Sequence, residues 1–173
     1  MRILKHTGLA TIAAILIIAT TMNSSCGIYR FRDVSIPDTI HTVKINYIEN
    51  KAPYVNPQLS PRLTEKLKQK IVGQTKLSQT NGDNADWEIS CTVRDYALST
   101  SAISGQREAT NRLTVSIHVT IYKRKGDETK EYDVSRNFEF SATQSLQQAE
   151  ASLNDEMIRS LTDEIFNRIF SEW

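Results

Sequence analysis

The chain has 173 residues, with 21 Lys and Arg against 20 Asp and Glu and a formal net charge of +1. A balance this close to zero supplies no global field for drawing in nucleic acid, so an anionic partner has to be met by a local basic patch. The length suits one globular domain burying roughly 70% of its unfolded surface, with no need of a second.

In chain order, the first element is a targeting segment. Arg2 and Lys5 precede Leu9 to Ala19, eleven residues that are apolar apart from Thr11. A bilayer span takes about 20 apolar residues, so this run reads as a secretory h-region. Small polar residues, Thr20, Thr21, Asn23, Ser24 and Ser25, lead to Cys26-Gly27. The arrangement resembles the processing site of bacterial lipoproteins, in which the cysteine is acylated and becomes the first residue. Asn23 stands where an aliphatic residue is usual, with Met22 one place further back. The other reading is an ordinary signal peptide cut near Ser25 with Cys26 left free; the cysteine itself fits only the first. The expected division is a signal peptide over 1–25, a lipidated tether over 26–38 and a single domain over 39–173. Loss of Arg2 and Lys5 leaves 19 of the 21 basic residues, and the remaining chain is nearly neutral.

The first strand is expected at His41 to Ile48, where Val43, Ile45 and Tyr47 share one face and Thr42, Lys44 and Asn46 the other. Glu49 to Leu59, with Pro53 and Pro57, reads as a loop. Ser60-Pro61 suits a helix start, with Ser60 as N-cap and Pro61 in the first turn. Leu63, Leu67 and Ile71 recur every four residues, and Gly73 supplies the stop. Glu65, Lys66, Lys68 and Lys70 form the solvated side of this helix.

A polar stretch with the turn-rich Asn81-Gly82-Asp83 follows, then three strands: Asp86 to about Ile103, about Arg107 to Tyr122, and Glu131 to Ser141. Leu113, Val115, Ile117, Val119 and Ile121 alternate with Thr114, Ser116, His118 and Thr120, the pattern of antiparallel strands covered on one side. Ser104-Gly105-Gln106 and Lys125-Gly126-Asp127 are the expected hairpin turns. From Ser145 to Trp173 an apolar stripe through Leu146, Ala149, Leu153, Met157, Leu161, Ile165 and Ile169 marks a long helix. The order β-α-β-β-β-α predicts an α+β two-layer sandwich, with two helices packed on one face of a four-stranded mixed sheet. The first strand reaches a parallel neighbour by crossing over through the first helix.

No catalytic set, metal site or cofactor is expected from the residues. His41 and His118 sit on separate strands, and His118 lies among outward polar residues. The chain holds no Cys-x-x-Cys, no His-Glu-x-x-His and no Gly-rich phosphate loop. Cys91 shares a face with Trp87, Ile89 and Val93 and reads as a small buried hydrophobe. No disulfide with Cys26 is expected. Asp127-Glu128 and Asp155-Glu156 read as solvated charges.

Two polar features stand out. Lys123-Arg124-Lys125 follows one strand, with Arg107 and Arg112 toward its start. Arg binds phosphate by two-point hydrogen bonds and Lys as a point charge, so this set suits lipid phosphates; charged hairpin ends also protect sheet edges. Leu98 to Thr110, rich in Ser, Thr, Ala and Gly, is either a tip that fits closely into another protein or a mobile one.

Cys26-Gly27-Ile28-Tyr29-Arg30-Phe31, Ser35-Ile36-Pro37 with Val43-Lys44-Ile45, Asn56-Pro57 with Leu59-Ser60, Asn111-Arg112-Leu113-Thr114-Val115, Gln144-Ser145-Leu146, and Ile165-Phe166-Asn167 with Trp173 stand in an order that resembles the LPS-assembly lipoprotein family, LptE, in its Bacteroidota form. The resemblance covers essentially the whole chain after the signal and rests on order and spacing. It implies a non-enzymatic lipoprotein that plugs the LptD outer-membrane barrel, assists its assembly and contacts lipopolysaccharide. It also implies an outer-membrane address on the periplasmic side, since Gly27 rather than an acidic residue follows Cys26. On this reading Arg107, Arg112, Lys123, Arg124 and Lys125 supply cationic contacts to the lumen or to lipid phosphates. The rival is a lipoprotein that binds a lipid or other apolar ligand without a barrel. An envelope hydrolase is the third reading, and it requires convergent acid and base groups in a cleft.

Overall fold

The computed structural model describes residues 36–100 and 110–171; the expected signal segment, Cys26, most of the tether, Arg107, the Ser104-Gly105-Gln106 turn and Trp173 lie outside them. The elements are β1 (Thr42–Ile45), β2 (Glu49–Asn50), α1 (Leu59–Gln74), β3 (Ser78–Gln79), β4 (Trp87–Thr100), β5 (Thr110–Lys123), a 3-10 turn (Arg124–Gly126), β6 (Glu128–Ser141) and α2 (Leu146–Phe170). The architecture is α+β with two helices and a mixed sheet, as the periodicities imply. The sheet has six strands rather than four: the order is β3-β1-β4-β5-β6, with β2 also paired to β4.

Both extra strands are two residues long and arise from pairing rather than pattern. The expected first strand is split, because Ile45 pairs with Ile89 and Glu49 with Thr92, four steps on one strand against three on its neighbour. The additional residue reverses the in–out alternation, as a one-residue slip must. Ile48 is therefore fully buried and Tyr47, expected inside, is 58% exposed. The Ile48 N–H, which loses its ladder partner at the break, donates to Thr64 Oγ1 of α1 at 3.0 Å. β3 lies in the expected polar stretch and pairs parallel with β1. β1 also runs parallel to β4, with α1 as the crossover.

A second register shift sits in β4. Val93 opposes Ile117 and Asp95 opposes Ser116, so Arg94 is left as a bulge. Strict alternation from Trp87 would carry Asp95 into the core; the bulge turns both Arg94 and Asp95 outward and returns Tyr96 to the inside.

Helix α1 starts one residue before the expected cap and ends beyond Gly73. Gln58 occupies the N-cap without a side-chain bond, while Asn56 Oδ1 accepts the Gln58 N–H at 2.9 Å in a local turn. Ser60 is thus inside the first turn and buried. Pro61 is tolerated there because first-turn N–H groups have no partner within the helix. Lys70, expected on the solvated side, reaches Asp163 of α2 at 2.7 Å and lies over the Phe166 ring. Helix α2 begins as its sequence predicts: Ser145 and Gln148 form a capping box. Arg62 pairs with Asp155 and Lys70 with Asp163, eight residues further along each helix, so α1 and α2 run parallel.

The core lies between the two helices and the sheet's inner face. Leu63, Leu67 and Ile71 of α1 and Met157, Leu161 and Ile165 of α2 are fully buried over Val43, Ile89, Val93, Leu113, Val115, Ile117 and Ile121. Cys91 is buried among them, and burial pushes its thiol up to about 12, which keeps it protonated and unreactive.

Asp86 latches β1 to the rest of the sheet. Its Oδ2 accepts the His41 N–H at 2.9 Å, the Thr42 N–H at 2.9 Å and the Thr42 hydroxyl at 2.8 Å. These donors hold the carboxyl below its usual range, His41 N–H first among them. A depressed carboxyl contributes stability above its unfolded pKa and loses it as pH falls through the folded value. We expect Asp86→Asn to cost about 2 kcal/mol at pH 7, since charge-assisted bonds are worth about 1.5–3 kcal/mol when intact. Urea titrations at pH 7 and pH 3 check this: the gap between variant and parent should shrink at the lower pH.

Candidate functional site

The outer face of the sheet is built from the residues that alternate with the core. Facing strands satisfy one another across it. Arg112 donates to Glu139 at 3.0 Å, the Thr114 hydroxyl to Asn137 Oδ1 at 2.8 Å, Ser116 and Ser135 share a bond of 3.1 Å, and His118 Nδ1 lies 2.8 Å from Asp133. Arg94, placed outward by the bulge, stands 3.9 Å from Asp133. The His118 bond and, to a lesser degree, the nearby Arg94 hold the Asp133 carboxyl below its usual range. Cross-strand pairs of this kind are worth about 0.2–1 kcal/mol each, and together they make a polar wall of fixed side chains. His118 lies among outward polar residues, as its place in the alternation predicts.

The proposed cations are not one patch. Arg112 lies near the start of β5 and Lys123 at its end, roughly 35 Å apart at about 3.3 Å per residue. Arg107 is outside the described residues. At the far end, Lys123 falls on the inner side of the sheet, where its ammonium sits 5.2 Å from the centroid of the Trp87 ring. Extending the alternation of Leu113 to Ile121 by two residues gives this placement from sequence. Arg124 turns back onto the preceding loop: Nε donates to the Ala85 carbonyl at 3.0 Å and Nη2 to the Asp83 carbonyl, while its backbone N–H bonds Asp86. Lys125 is exposed. The turn then closes through Asp127 rather than Gly126, with Asp127 in the left-handed region at φ 48° and its carboxylate accepting the Tyr122 hydroxyl at 2.9 Å.

These contacts separate two kinds of cation. Arg124→Gln is expected to lower stability by about 2 kcal/mol through the lost carbonyl bonds, whereas Lys125→Gln should leave the urea midpoint within experimental error. A pair of denaturation curves distinguishes them, and equal midpoints would remove Arg124 from its structural role.

At the opposite end, three segments meet in a cluster with no sequence signature. Tyr54 stacks on Tyr96 with ring centroids 5.4 Å apart. Both hydroxyls donate to the Glu150 carboxylate, at 3.3 and 2.8 Å, and Asn56 Nδ2 donates to the Tyr96 oxygen. Burial and the Glu150 charge push the Tyr96 hydroxyl well above its ordinary range, which keeps it a donor. The cluster ties the loop after β2 to β4 and α2. Val55 and Leu98 are exposed beside it in sequence.

Among the described residues, no group of three or more His, Cys, Asp or Glu is placed to hold a metal ion, and no helix is long and apolar enough to cross a membrane.

A sequence model of the LptE lipopolysaccharide-assembly family matches residues 40–169. No curated protein matches the chain. Among solved structures, a minor lipoprotein from Acinetobacter baumannii is similar at 17% identity and a TM-score of 0.50, covering 76% of this chain and 93% of that one. A hypothetical protein from Chlamydia trachomatis is similar at 7% identity and a TM-score of 0.50, covering 77% of this chain and 99% of that one. At these identities the likeness is one of fold.

Proposed function

The chain belongs to the LptE lipopolysaccharide-assembly family, and from that premise we propose that it is an outer-membrane lipoprotein, anchored through Cys26, that plugs an LptD-type barrel and assists its assembly. The observation that carries this reading is the outer face of β4, β5 and β6. It is a wall of hydrogen-bonded polar side chains on strands of 14 residues each, and the lumen of a large barrel is likewise polar. The opposite face is closed by both helices, which leaves a compact two-layer body. Its role is positional. No bond is made or broken, and the side chains serve to fit, orient and hold.

Of the five cations, Arg112, Arg124 and Lys125 are exposed on the described chain, and Arg112 and Lys125 are assigned, with Arg107, to the lumen or to lipid phosphates. Lys123 and Arg124 support the fold beside them. Tagged full-length protein drawn from detergent-solubilised outer membranes should bring the barrel with it in a stoichiometric amount, identified by mass. Recovery of the lipoprotein alone, from membranes where the barrel is demonstrably present, would reject the plug and favour a ligand-binding lipoprotein.

A further inference from the structure

The two parallel helices meet along a seam of charged residues spaced four apart. Arg62, Lys66 and Lys70 share one face of α1, and Asp155, Arg159 and Asp163 share one face of α2, by the helical repeat. Arg62 donates to Asp155 at 2.7 Å and Lys70 to Asp163 at 2.7 Å. Both bonds join residues 93 apart in the chain, and the same offset sets Lys66 opposite Arg159. The ladder therefore runs cation to carboxylate at its two ends and cation to cation at its centre.

Lys66 and Arg159 are exposed, and among the described residues neither has a hydrogen-bond or ion-pair partner. The carboxylates one turn from Arg159 along α2 are the two already bonded to α1. Glu65, beside Lys66, is taken by Lys68 at 3.4 Å. Four cations thus share two carboxylates over roughly 12 Å of seam, at about 1.5 Å per residue. Like charges facing one another repel, and the centre lacks only one acid. Packed helix axes stand roughly 8–10 Å apart, a gap that a Lys and an Arg side chain can span to a shared pair of oxygens. Arg presents a planar fork to an oxyanion and Lys a point charge. With Asp155 and Asp163 one turn away on either side, a carboxylate of single charge fits better than a phosphate carrying nearly two. A second copy fits badly, because pairing about a two-fold axis through the seam would gather four unpaired cations.

We infer that the centre of the α1–α2 seam is a docking point for a Glu or Asp side chain of a different protein, which completes the ladder between Lys66 and Arg159. The seam belongs to the helical layer, opposite the polar wall of the sheet. The inference therefore goes beyond the plug reading and stands without it.

The test uses the full-length chain in its native membranes, treated with a water-soluble carbodiimide, which joins a lysine amine to a carboxylate in direct contact with it. Mass analysis should find Lys66 linked through an amide to a Glu or Asp of a different protein. Arg159→Glu supplies the missing acid from within the chain, and position 159 is exposed, so the fold should survive the change. In this variant the adduct with the other protein should fall about tenfold. An internal link from Lys66 to position 159 should take its place, and the urea midpoint should rise as the ladder closes on itself. No adduct at Lys66 with another protein, or an adduct only with a second copy, overturns the proposal. So does an Arg159→Glu variant that keeps the adduct, forms no internal link or is no more stable than the parent. An adduct with the barrel supports both the seam and the plug, while an adduct with another envelope protein supports the seam alone.

Discussion

Replacing Cys26 with alanine is expected to move the protein out of the membrane fraction while leaving its folded domain intact. The two halves of this result have separate physical grounds. Among the described residues no helix is able to span a bilayer, and the apolar run before Cys26 is about half the length a span requires. On the proposed reading, attachment rests on acyl chains at Cys26. One chain binds a membrane weakly and reversibly, and several hold it firmly, so loss of the acceptor removes the proposed anchor. The fold should persist because the described core is drawn from Ile40 to Phe170, all of it after the tether. Fractionation by ultracentrifugation reads the first half and circular dichroism of the released protein the second. A variant that stays wholly in the membrane pellet sinks the lipid assignment. A variant that is released but unfolded sinks the division between tether and domain.

The second large effect lies in the core. Leu161 is fully buried at the middle of α2, with Met157 and Ile165 one turn away on either side. Leu161→Ala should destabilise the domain by about 2–5 kcal/mol, because the lost transfer energy is joined by the cost of a cavity the two layers cannot close. Against a total stability of about 5–15 kcal/mol, that is enough to leave a measurable unfolded fraction at moderate temperature. Leu161→Met keeps the volume and should cost under about 1.5 kcal/mol. Urea midpoints of the two variants give the comparison. A similar loss in both would mean that shape at this position, rather than volume, sets the stability.

Much of the fold is legible in the sequence wherever a pattern runs long enough to be counted. The alternation from Leu113 to Ile121 has five inward residues, and the stripe of α2 has seven, so element and face follow together. The capping box at Ser145 is a local signal and survives into the structure. What escapes is decided by pairing across distance. β2 and β3 have two residues each and no period, and the bulge at Arg94 becomes visible only when β4 is set against β5. The shift after Ile45 shows the limit well: Tyr47 satisfies the alternation of its own strand, yet one additional residue relative to β4 turns it to solvent.

The basic residues divide in the same way. That Lys123 faces inward follows from the parity of β5, whereas the Arg124 bonds to Ala85 and Asp83 join segments about 40 residues apart, and nothing local announces them. The Tyr54–Tyr96–Glu150 cluster draws on three elements and is equally silent in the chain. By contrast, the polar wall of β5 is written directly as Thr114, Ser116, His118 and Thr120. The feature that carries the functional proposal is thus the one a reader of the sequence can see.

The Asp86 latch bears on the order in which the domain assembles. β5 and β6 are joined by a tight turn and form with little loss of chain freedom, but Asp86 meets Thr42 across 44 residues. Closing a loop of that length costs on the order of 3 kcal/mol of entropy before any contact is gained. The β4-β5-β6 meander can therefore form early, with the parallel β1 crossover joining late, as non-local pairings do in slow-folding topologies. A chain emerging from its N-terminus releases β1 first yet has to hold it unpaired until the start of β4 appears. The latch then fastens a strand that has been waiting for the whole of the α1 crossover.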